Sequence, residues 1–128
     1  MDIIIDASCI MAVLTEEPER EIVLEKVKGA NLYSSACLPY EIGNSLSAMV
    51  KRHRIDAKKA VATCEESRKI PIRLIAPDIT KAVQIAAEEN HYAYDAYYIV
   101  CALDKGLPLL SLDKGLNEIA KKRGVKCL

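Results

Sequence analysis

Residues 1–8 read Met1-Asp2-Ile3-Ile4-Ile5-Asp6-Ala7-Ser8. Three consecutive aliphatic residues between two acids suit a strand covered on both faces, because a half-exposed strand would alternate apolar with polar. Comparable short runs recur at Leu32 to Ser34, Ile72 to Ile75, Pro108 to Leu112 and Val125 to Leu128. The stretches between them carry helical periodicity, and that alternation predicts an α/β fold with a central parallel sheet of about five strands flanked by helices.

Spacing identifies the helices. Ile42, Leu46, Met49 and Val50 fall at i, i+4, i+7 and i+8, and Ile79, Ala82, Val83 and Ala86 at i, i+3, i+4 and i+7. Ala96, Ile99, Val100 and Leu103 repeat the pattern up to Lys105-Gly106, where glycine suits a left-handed cap. A last helix over Leu116, Ile119 and Ala120 ends in Lys121, Lys122, Arg123 and Gly124, cations at the negative end of the helix dipole followed by a cap.

With 128 residues, 51% of them hydrophobic, the chain is sized for one domain over 1–128. Its apolar runs are too short to cross a bilayer, and acids stand near the N-terminus where a signal peptide carries bases, so the expected location is cytoplasmic and off the membrane. Cys9, Cys37, Cys64, Cys101 and Cys127 are dispersed without a C-x-x-C pair, which argues against a disulfide framework or zinc site. With only His53 and His91 as possible bases, no Cys–His nucleophile pair is selected.

The formal net charge is zero, from 18 basic and 18 acidic residues, but it is unevenly spread. Residues 51–73 hold eight Lys or Arg against three acids, whereas residues 1–50 hold three against eight. Lys51, Arg52, Arg54, Lys58 and Lys59 gather at the junction of two predicted helices, either as a solvated helix end or as a place for a phosphate backbone, with Lys51, Arg52 and Arg54 the candidate RNA contacts.

Asp6 follows the first strand and Asp113 the fourth, within Leu110-Ser111-Leu112-Asp113. The carboxyl ends of parallel strands share one sheet edge, where open α/β folds bind ligands. Glu41 and Asp95 open helices whose preceding segments can return to that edge. Singly, each acid reads best as a helix cap or first-turn residue. Together and unpaired, four carboxylates repel one another and call for cations. Oxygen donors without His or Cys select Mg²⁺, with Mn²⁺ possible. Ser8, Asn44 and Ser111 are near enough in sequence to support the acids, or to cap helices.

Asp6-Ala7-Ser8, Glu41-Ile42-Gly43-Asn44, Asp95-Ala96-Tyr97-Tyr98 and Ser111-Leu112-Asp113 resemble, in order and spacing, the signatures of PIN-domain nucleases. The resemblance covers nearly the whole chain, whose size is that of the VapC-like ribonuclease toxins of toxin–antitoxin pairs. One departure is Ser111, where the family usually has Thr. The resemblance implies a sheet in order 3-2-1-4-5 and a metal-dependent ribonuclease in which Asp6, Glu41, Asp95 and Asp113 are catalytic and hold the metal. It implies Ser8, Asn44 and Ser111 as supporting residues, an RNA substrate, a cognate antitoxin and a homodimer. Helices around residues 41–68 are the expected exposed partner face. A non-catalytic PIN-like scaffold and a housekeeping RNA-processing nuclease are the alternatives.

Two other classes are weighed against the residues. A haloacid-dehalogenase-type phosphatase expects Asp-x-Asp after the first strand, where this chain has Ser8. A receiver domain needs an acceptor acid directly after the third strand, and Asp78 comes late and looks like a helix cap.

Overall fold

The computed structural model describes all 128 residues. The elements run β1 (Asp2–Ile5), α1 (Ala7–Leu14), α2 (Arg20–Val27), β2 (Asn31–Ser35), α3 (Leu38–Lys51), α4 (Ala57–Ser67), β3 (Ile72–Ile75), α5 (Ile79–Glu88), α6 (Ala93–Lys105), β4 (Leu109–Leu110) and α7 (Lys114–Lys122). The sheet is parallel, in order β3-β2-β1-β4.

Covering β1 on both faces is what its aliphatic run requires. Ile3 and Ile5 join a core with Ile10 and Met11 of α1 and Ile42 and Leu46 of α3, whereas Ile4 joins the opposite core with Ala82 and Ile85 of α5 and Ile99 and Val100 of α6. All three isoleucines are within 1% of complete burial, so β1 is the axis of the molecule.

The expected fifth strand is a correction. Val125 to Leu128 contribute one parallel bridge, Leu109 to Cys127, held by Leu109 N–H to the Lys126 carbonyl at 2.8 Å and Leu128 N–H to the Leu109 carbonyl at 2.9 Å. The cause lies in its neighbour: β4 has only two residues and the chain bends at Leu112, so little edge is left to pair. Glycine caps appear where expected, with Gly106 left-handed at φ 63 and Gly124 at φ 87. No helix is long and apolar enough to cross a membrane.

Candidate active site

Parallel pairing of β1 with β4 matches Ile5 with Leu110 and brings the ends of both strands together. Asp6 and Asp113 leave that edge as N-caps, Asp6 accepting from the Cys9 N–H of α1 at 3.3 Å and Asp113 from the Leu116 N–H of α7 at 3.1 Å. Glu41 lies in the first turn of α3 and Asp95 in that of α6. All four line one cleft of about 550 Å³.

Asp6 is 4% exposed, a depth at which an unpartnered carboxylate is costly. Ser8 and Ser111 each donate a hydroxyl to it at 2.6 Å, one to each oxygen. The hydroxyls are fixed in turn, since Ser8 Oγ accepts the Leu112 N–H and Ser111 Oγ the Asp113 N–H, both at 3.0 Å. The serines therefore tie the end of β1 to the turn after β4. Asn117, unmarked in the sequence reading, donates to the Ser111 carbonyl at 2.9 Å and braces that turn.

Burial raises the pKa of Asp6 above the ordinary carboxyl range; its three hydrogen bonds pull the other way and the charge on Asp113 adds to the rise. Glu41 is raised mainly by burial, with Asp6 and Asp95 adding repulsion. Asp95 is raised by burial first and is also repelled by Asp113, while His91 lowers it. The repulsions close a ring, Asp6–Glu41–Asp95–Asp113–Asp6, and no Lys or Arg forms a salt bridge with any member.

Two further groups complete the ring. His91, in the turn between α5 and α6, pairs its Nε2 with Asp95. A Cβ on Gly115 would lie 3.4 Å from Asp113 Oδ1 and 4.0 Å from His91 Cε1, which places His91 beside Asp113 as well. Tyr98 is 1% exposed and its hydroxyl is buried without a formed hydrogen bond. It stands near enough to Glu41 to lower that acid's pKa, against the larger rise from burial. The sequence placed Tyr98 one turn after Asp95, but its partner is on α3.

The arrangement is open at its centre, and no three His, Cys, Asp or Glu side chains converge closely enough to hold one ion. The donor chemistry still fits a hard divalent cation: a ring of carboxylate oxygens, repelling one another and lacking Lys or Arg partners, with His91 on Asp95 alone. Closing onto an ion requires side-chain rotation, for which the cleft has room.

Among the supporting candidates, Ser8 and Ser111 contact Asp6 directly. Asn44 lines the cleft, but its side chain makes no hydrogen bond to an acid. Arg52 and Arg54 line the cleft and Lys51 does not. The thiols are unsuited to nucleophilic work, since burial pushes Cys9 up to about 12 and Cys101 to about 11. Asp78 caps α5 by accepting the Lys81 N–H at 3.1 Å.

Similar solved structures share this fold. One is PAE2754 from Pyrobaculum aerophilum, at 20% identity and a TM-score of 0.73, over 99% of this chain and 83% of that one. FitAcB from Neisseria gonorrhoeae is 19% identical with a TM-score of 0.68, over 98% and 96%. VapBC-1 from nontypeable Haemophilus influenzae is 12% identical with a TM-score of 0.67, over 100% and 97%. No curated protein sequence matches the chain. The model of the PIN domain matches residues 3–122, which include all four ring acids and both serines. The chain belongs to the PIN domain family.

Proposed function

We propose that this PIN domain is a divalent-metal-dependent ribonuclease whose active site is the ring of Asp6, Glu41, Asp95 and Asp113. One observation carries the reading: four carboxylates from four elements meet at the carboxyl edge of the sheet and repel one another, with no Lys or Arg paired to any of them and His91 on Asp95 as the one basic partner. PIN domains are generally nucleases and generally use divalent ions, which agrees with that chemistry.

Asp6 and Asp95 are the proposed direct ligands, with Glu41 and Asp113 as further ligands or as holders of the attacking water. Mg²⁺ is the proposed ion and Mn²⁺ its substitute, because the donors are all oxygen. A bound ion supplies Lewis acidity and charge neutralisation for hydrolysis of a phosphodiester. Ser8 and Ser111 fix both Asp6 oxygens in advance, so this carboxylate is positioned before substrate arrives. Arg52 and Arg54, in the same cleft, offer positive charge to an RNA backbone.

Within the family we place the chain among the VapC-like toxins, acting in the cytoplasm as a homodimer with a cognate antitoxin. Supporting this are the four ordered motifs and the shared fold of VapBC and FitAcB proteins over nearly their whole length. Expression of the parent, but not of Asp6→Asn, is expected to arrest bacterial growth, with arrest relieved by a co-expressed antitoxin. Equal growth with both forms counts against a toxin and for a housekeeping nuclease.

A non-catalytic scaffold is the second reading, favoured by the failure of three acids to converge. Titration calorimetry with Mn²⁺ separates the two: uptake that Asp6→Asn weakens supports the nuclease, and no uptake supports the scaffold.

A further inference from the structure

The cleft extends well beyond the carboxylate ring, as a groove between α1 and α3. Both helices begin at the ring, α1 at its cap Asp6 and α3 with Glu41, and both line the groove along their length. From Glu41 to Arg52 is eleven residues, about 16 Å at the rise of an α-helix. Met11, Ala48 and Met49 line its middle, an apolar and polarisable stretch suited to a base or ribose.

The far end has two unlike walls. Arg52 and Arg54 stand on the α3 side, and Glu17 and Glu19 on the α1–α2 side. Both signs of charge line this end of the groove, yet none of these four residues takes part in a salt bridge, so all four are free to meet a ligand. Glu17 accepts only the Thr15 hydroxyl at 3.3 Å, and neither the Glu19 carboxylate nor the two guanidiniums have a hydrogen-bond partner.

The backbone is shaped to deliver these side chains. α1 and α3 end in left-handed turns carried by non-glycine residues, Glu16 at φ 53 and His53 at φ 58. In each turn the next residue's N–H closes onto the helix at 2.9 Å, Glu17 onto the Ala12 carbonyl and Arg54 onto that of Met49. The residue after each strained position is therefore the one presented to the groove. α5, outside the groove, ends in the same kind of turn, at Asn90 (φ 52) with the His91 N–H on the Ala86 carbonyl at 2.9 Å, so the turn is a common helix ending in this fold that here sets Glu17 and Arg54 at the groove.

We infer that the α1–α3 groove is a subsite for single-stranded RNA with a phosphate wall, Arg52 and Arg54, and a base-reading wall, Glu17 and Glu19. This rests on the ribonuclease reading of the ring. The strand leaves the ring over Met11 and Met49, with its phosphates on the arginines. Its base edges and ribose hydroxyls turn to the glutamates. A carboxylate accepts from the exocyclic amino groups of cytosine, adenine and guanine and from 2′-hydroxyls, whereas uracil offers it only the N3–H, flanked by two carbonyl oxygens that repel it. At about 3.4 Å per stacked nucleotide the groove spans about five nucleotides, and fewer when the strand is stretched. The enzyme thus discriminates against uridine at a position two to five nucleotides from the cut.

The test uses RNA oligomers randomised on both sides of a mapped cut, with parent, Arg52→Ala/Arg54→Ala and Glu17→Gln/Glu19→Gln proteins verified as folded by circular dichroism. Affinity is read by fluorescence anisotropy in EDTA, and cleavage with Mg²⁺ or Mn²⁺. The arginine pair is expected to weaken binding about tenfold, to flatten the salt dependence and to remove the advantage of longer oligomers. The glutamine pair, able to donate as well as accept, is expected to relax a roughly fivefold or greater bias against uridine at one position. Parent-like profiles from both variants, while the parent cleaves, overturn the groove and spare the nuclease. An altered affinity with no change of base preference in the glutamine pair overturns the two-wall arrangement. A parent that cuts no RNA, yet loses RNA affinity with the arginines, overturns the nuclease reading and spares the groove.

Discussion

Asp6 does two jobs with one side chain, capping α1 through the Cys9 N–H and presenting its carboxylate to the cleft. Asparagine retains a capping oxygen but not the charge. Asp6→Asn is expected to abolish metal-dependent cleavage, and in EDTA to raise the thermal midpoint. The sign follows from burial, which raises the folded-state pKa of Asp6 above its unfolded value, so the folded protein binds the proton more tightly and stability is lost as pH rises through that pKa. The advantage of Asp6→Asn should therefore be smallest at acid pH and grow toward neutrality, as melting curves across pH will show. Ser111→Ala is expected to cost roughly 10- to 100-fold in Mn²⁺ affinity or activity, and Ser111→Thr far less, because the hydroxyl is what touches Asp6. Asp6, Ser8 and Ser111 were legible because each sits beside a readable strand end. His91 and Asn117 were not, since a left-handed turn at Asn90 carries the first to Asp95 and a carbonyl contact inside the β4–α7 turn employs the second.

At the scale of elements, α7 begins at a cleft carboxylate just as α1 does, so capping and the proposed metal holding fall on the same side chains and need different substitutions to separate. Asp113→Asn is expected to keep the bond to the Leu116 N–H and unfold within a few tenths of a kcal/mol of the parent, whereas Asp113→Ala loses about 1 kcal/mol. Both are expected to lose cleavage, and urea unfolding with activity assays distinguishes the two effects. For Asp6 and Asp113 the cap that each suggests alone is real, whereas Glu41 and Asp95 stand in the first turns of helices capped by Cys37 and Tyr92, and only the fold brings the four together in one cleft. β1, β2 and β3 could be read from their apolar runs. β4 and the last bridge could not be sized, because a two-residue strand has no periodicity and its length depends on where Ser111 turns toward Asp6.

For the whole molecule, burial and mutual repulsion both raise the ring acids, and a divalent ion bound as proposed would offset both. Ligand linkage then predicts that Mn²⁺ at a hundred times its dissociation constant stabilises the parent by about 2.7 kcal/mol, with little effect on Asp6→Asn. A counter-trend comes from the far side, where Arg123 binds Glu88 and Glu89, and Lys122 binds Glu89, tying α7 to α5. These bonds hold both glutamates below the ordinary range, so their contribution is present at neutral pH and lost as pH falls through the lowered values. Charge segregation was visible in the sequence, but which cations reach the cleft was not: Lys51 and Arg52 differ by one helical step of about 100° and only Arg52 faces the cleft, and the left-handed turn at His53 then brings Arg54 to it.

The most direct measurement is incubation of the pure protein with structured and unstructured RNAs in EDTA, Mg²⁺ or Mn²⁺, beside folded Asp6→Asn, with product ends mapped. Cleavage that requires the divalent ion and disappears with Asp6→Asn is the predicted result. Cleavage of equal rate by Asp6→Asn, or undiminished in EDTA, would contradict the carboxylate ring as the active site.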